Sequence, residues 1–263
     1  LGSDTPQAGQ NFTDAGRART CGLEFHGAVG PEFRRLAQAA YESLRPSVRD
    51  YLHAQGVRFA AGQIQSDIVK LDESVGAVKD VRDRSHPNQD EAIFYAAHEV
   101  IGIAEYFHVV ASVPVHTDRP DVENFDADGP WTRTAVRRVT TNLANAMYHA
   151  LDKRLGDVSQ SAEFSEAYRK DVQGLGGVDA GCDMGWDYFL SEGGAGQRQV
   201  FAAAGEAMQG LEKDSLRKGE YQHFAESFPN SFAWVNTFVA KLDAVYSELV
   251  TTSQKVTAKS PGL

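Results

Sequence analysis

The dipeptide His98-Glu99 is the first place along the chain where chemistry could reside. In a helical His-Glu-x-x-His run, two imidazoles stand one turn apart on one face and share a zinc ion, and the glutamate activates the metal-bound water. Here the run is His98-Glu99-Val100-Ile101-Gly102, so glycine takes the second ligand position. His108 follows ten residues after His98 and falls off the same helical face. A lone His-Glu pair matches by chance far more often than by function, and a half-buried histidine beside a surface glutamate is the simpler account.

A second group lies in Asn145-Ala146-Met147-Tyr148-His149-Ala150-Leu151-Asp152. At about 100° per residue, Asn145 and His149 share a face one turn apart. Both flank an apolar stripe, so spacing alone fits a hydrogen-bonded structural histidine against a neighbouring element. Cys182 sits in Gly181-Cys182-Asp183-Met184-Gly185-Trp186 without the surroundings of a catalytic thiol. With Cys21 it makes one disulfide or two thiols, which leaves the redox compartment open. The glycines at 193, 194 and 196 lack the Gly-x-x-x-x-Gly-Lys-Ser/Thr pattern of a phosphate loop. Arg133, Arg137 and Arg138 form a small basic cluster of the kind that is usually a solvated face.

These residues need elements to position them. Pro31 opens a helix along Phe33, Leu36, Ala40 and Leu44, and Pro46 starts a shorter one, Val48 to His53, ended by Gly56. Residues 57–60 form a strand, and 64–71 a strand or a helical turn. Residues 91–101 fit a helix and also a strand, and Gly102 followed by 103–113 suggests a hairpin ending in strand. A long helix runs from Thr132 to Leu155, with Val136, Val139, Leu143, Met147, Leu151 and Leu155 on one stripe. Helices follow over 161–172 and 197–211, separated by a glycine-rich loop with Trp186, Tyr188 and Phe189. A helix pair or one broken helix spans 221–249, with Pro229 at the break. Residues 1–30 are expected as a flexible tail, 31–250 as a single domain and 251–263 as a second tail.

Composition bounds the function. With 263 residues, 42% hydrophobic and 24% charged, the chain can bury a substantial core and is not wholesale disordered. No apolar run approaches the roughly 18–20 residues of a membrane span. A net charge of −10 argues against a nucleic-acid partner, which needs a basic footprint. The chain opens Leu1-Gly2-Ser3, as a processed product would, so the lack of a signal peptide says nothing of secretion.

Tyr148-His149-Ala150-Leu151-Asp152 resembles the Gly-His-Ala-Leu/Val-Asp end of the zinc motif in the anthrax-toxin lethal-factor-like domain family. That family holds the lethal-factor protease domain, pro-pro endopeptidases, and the non-catalytic N-terminal domains of lethal and edema factor. Further stretches run in the same order: Leu44-Arg45-Pro46-Ser47-Val48 to Phe59, Ser161 to Tyr168, Gln199-Val200-Phe201-Ala202-Ala203-Ala204, and Phe228-Pro229-Asn230-Ser231-Phe232. Together they span roughly residues 40–250. The 50 residues from His149 to Gln199 suit the family's arrangement, whereas the 101 from His98 do not.

The resemblance implies an α+β, zincin-like fold, mainly helical with a small mixed sheet. It also puts the first zinc histidine on Asn145, the catalytic glutamate on Ala146, the second histidine on His149 and the third ligand on Gln199. Neutral amides are poor zinc ligands, and alanine cannot activate water. The implied protein is a catalytically inactive, toxin-type domain without a cofactor, secreted or at a cell surface. It would act by binding or delivery, with a translocation or surface protein as partner. Asn145, Tyr148, His149 and Gln199 would then line a reused pocket or knit two helices together. An extended peptide could occupy the former groove along a strand edge. A Cys21–Cys182 disulfide would suit such a secreted protein. The alternative is a secreted zinc metallopeptidase with an atypical site drawn from His98, Glu99 and His149, with His108 and His116 in reserve.

Overall fold

Proline opens the first two helices of the computed structural model, which describes residues 22–69, 92–105, 130–175, 189–212 and 218–258. Pro31 begins α1 (Pro31–Ser43) and Pro46 begins α2 (Pro46–Ala54), in first-turn positions where the missing N–H costs nothing. Pro46 also forces Arg45 into an extended conformation, which keeps the two helices apart. Phe33, Leu36, Ala40 and Leu44 are all buried, as their spacing predicts. After α2, Gly56 turns the chain at a φ of 85°, a conformation open to glycine, and delivers it into β2 (Arg58–Gly62).

The sheet is small and mixed. Its order is β1 (Leu23–Phe25), β2, β4 (Val100–Ala104), β3 (Ala92–Tyr95). β1 and β2 are parallel, as are β2 and β4, whereas β3 runs antiparallel to β4. Phe59 of β2 and Phe94 of β3 both stand opposite Ile101. Every residue of β4 is buried, as is usual for a central strand covered on both faces. A hairpin forms over 92–104, but its turn lies at 96–99, and Gly102, where the sequence suggests the hairpin, is inside β4; residues 106–113 lie outside the described residues. The ambiguous stretch 64–71 contains one helical turn, α3 (Gln65–Ile68).

Two boundaries differ from expectation. Leu23–Phe25, placed in the N-terminal tail by sequence, pair with Phe59–Ala61 as a sheet edge, and Val29 beyond them is buried. Three residues are too few to show a strand period, so the pairing could not be read from pattern. At the other end, the last helix continues past Val250 to Ala258.

The remaining helices are α4 (Pro130–Arg154), α5 (Ala162–Gly174), α6 (Ala195–Glu212), α7 (Lys218–Ser227) and α8 (Pro229–Ala258). Ser161 caps α5 by accepting a hydrogen bond from the Phe164 amide at 3.2 Å. Pro229 divides α7 from α8, as expected. The first turn of α8 is closed by Asp171 of α5, whose carboxylate accepts from the Asn230 amide at 3.0 Å and the Ser231 amide at 2.7 Å. α4 is the hub: it packs against α1, α2, α6, β3 and β4. From Val139 to Asp152 every residue but Asn142 and Asn145 is buried. Over that span the stripe read from sequence is one face of a segment buried nearly all round. Over the described residues the fold is α+β, mostly helical, with a four-stranded mixed sheet. No described helix is long and apolar enough to cross a membrane.

Candidate functional site: the α4–α6 junction

The residues singled out on α4 meet α6, and small residues make that approach possible. Gly205 lies against the ring of Tyr148, and Gly210 against the ring of Tyr221 of α7. A Cβ at either position would overlap the aromatic carbons. Tyr148 is thereby fully buried, with its ring edge-on to Phe201 at 6.4 Å between centroids.

Beside this contact lies a polar trio. Asn145 donates from Nδ2 to Glu206 Oε2 at 3.0 Å, and the Tyr221 hydroxyl donates to Glu206 Oε1 at 3.1 Å. These two bonds, from two different helices, bind α4, α6 and α7 together. The resemblance would bring Asn145, His149 and Gln199 to one site, and the Asn145 amide donates to Glu206, seven residues past Gln199 along α6. Two helical turns put Gln199 and Glu206 on nearly the same face, and Glu206 is the sole acid between Ala195 and Leu211. That was a usable signal for Glu206. Tyr221 had none, because nothing local marks its reach to α6.

Tyr148, His149 and Gln199 are buried, at 0, 4 and 6% exposure, whereas Asn145 is half-buried. Ala146, at the position of the family's catalytic glutamate, is buried and apolar. One turn further, Asp152 is also buried. It accepts from the Ser159 amide at 2.6 Å and the Ser159 hydroxyl at 2.8 Å. Burial pushes its carboxyl above the usual range, against the pull of the two Ser159 bonds. This aspartate holds the turn after α4 in place.

The helical reading of His98-Glu99 fails on geometry. His98 closes a short 3-10 turn between β3 and β4, and Glu99 follows with φ 53°. Both are exposed. Glu99 is engaged by Arg154 Nη2 at 2.9 Å, at the end of α4. A hairpin tip cannot present two side chains a helical turn apart. Among the described residues, no three His, Cys, Asp or Glu side chains gather as a metal-binding group, so His98, Glu99 and His149 are not assembled. At the motif positions the donor set is one imidazole and two amides, and one of those amides is engaged by Glu206. That set does not fit zinc. His108, His116, Cys21 and Cys182 lie outside the described residues, as do the side chains of Arg133, Arg137 and Arg138.

The class defined by fold and site is an α+β domain with a polar helix junction at its centre. No protein-family model matches the chain, and neither a curated protein nor a solved structure matches it.

Proposed function

We propose that the chain is a catalytically inactive, zincin-like domain of the lethal-factor type that acts by binding or delivering a protein partner. The observation that carries the reading is the Asn145–Glu206 hydrogen bond. Asn145 stands where the resemblance puts a zinc-binding imidazole, and its amide is committed to holding α4 on α6. Ala146 offers no base to activate water. Among the described residues β1 ends the sheet on one side, with Glu24 and Phe25 half-buried, whereas Ile93, Phe94 and Tyr95 of β3 are covered; α4, which bears the motif positions, packs against β3 and β4. A partner segment would lie extended alongside β1 and take main-chain hydrogen bonds from that strand. As the resemblance implies, the domain would be secreted or at a cell surface and would need no cofactor.

Two measurements test the halves of the proposal. Elemental mass spectrometry after dialysis against zinc is expected to find well under one zinc per chain, with a melting curve indifferent to chelator. Near-stoichiometric zinc would overturn the inactive reading. For the binding half, amide chemical shifts are followed while a library of extended peptides is added. Shifts centred on Leu23–Phe25 are expected, and a library that leaves those amides unmoved refutes edge-strand binding.

A further inference from the structure

We draw no further inference here: the strongest candidate, the half-exposed face of α8 on which Trp234 and Phe238 stack at 5.3 Å, is an apolar patch, and nothing in the structure shows what covers it.

Discussion

Gly205→Ala is the substitution on which the account of the α4–α6 junction stands or falls. In an ordinary helix interior the change is favourable by about 1 kcal/mol, because alanine loses less backbone entropy. At Gly205 the added methyl would overlap the base of the Tyr148 ring, at Cγ and both Cδ atoms. Those atoms are close to the backbone and cannot swing aside as a side-chain tip would. Tyr148 is fully buried, so either the ring or α6 must move. Overpacking of this kind costs about 1–3 kcal/mol beyond the propensity gain. A net loss of about 2 kcal/mol lowers the melting temperature of a chain this size by roughly 4–8 °C. The assay is urea unfolding of Gly205→Ala, Tyr148→Leu and the double variant. Once the flat ring is gone, Gly205→Ala should be neutral or mildly stabilising, which makes the coupling between the two sites about 2 kcal/mol. If Gly205→Ala stabilises the wild-type background, or the two changes add independently, the close-packing argument is wrong.

Other outcomes follow from the polar contacts. Asn145→Ala should cost about 1–2 kcal/mol in urea unfolding, because it removes an amide donor from a half-buried carboxylate. Asp152→Ala should cost about 2–4 kcal/mol in the same assay, because it strands the buried amide and hydroxyl of Ser159. Asp152→Asn, which keeps an acceptor, should cost less. His53 shares a 2.7 Å hydrogen bond with the Tyr41 hydroxyl and packs on Phe59 at 5.1 Å. Burial holds its imidazole below the ordinary value, despite Asp50 nearby. The unfolded chain then takes up a proton that the fold resists, so stability falls as pH drops below about 6.5 toward the folded value. In thermal melts from pH 7.5 to 5, His53→Gln should lose less stability than the wild type, and an identical slope would refute that assignment.

Much of the architecture is legible in single residues. Pro31, Pro46 and Pro229 mark helix starts, Gly56 marks an end, and Phe33 to Leu44 lay out a buried face. The α+β class comes from the family resemblance and not from these signals, because the stretch that forms β4 fits a helix as well as a strand. The enclosure of α4 over 139–152 is not legible in them either, because Ala144, Ala146 and Ala150 are equally at home on a surface or in a core. β1 is hidden because its strand identity comes from β2, 36 positions away, and not from its own three residues. The junction was half legible. Asn145 and His149 stand out by helical spacing, yet the partner of Asn145 lies 61 residues on, and the Tyr221 contact joins two further helices. Periodicity describes one helix at a time and carries no information about which turn of a second helix lies opposite. His98-Glu99 misleads for the opposite reason: a local motif has helical meaning only if the chain there is helical.

The cap that Asp171 places on α8 has a consequence for the way the protein breathes. The first turn of a helix is normally where it frays, with its amides exchanging freely with solvent. In α8 the Asn230 and Ser231 amides are held by a buried carboxylate about 60 residues upstream, on α5. That turn cannot open alone. It is released only when α5 lifts away, so the longest helix of the fold is kept shut at its root by a neighbour, and the two share one opening event.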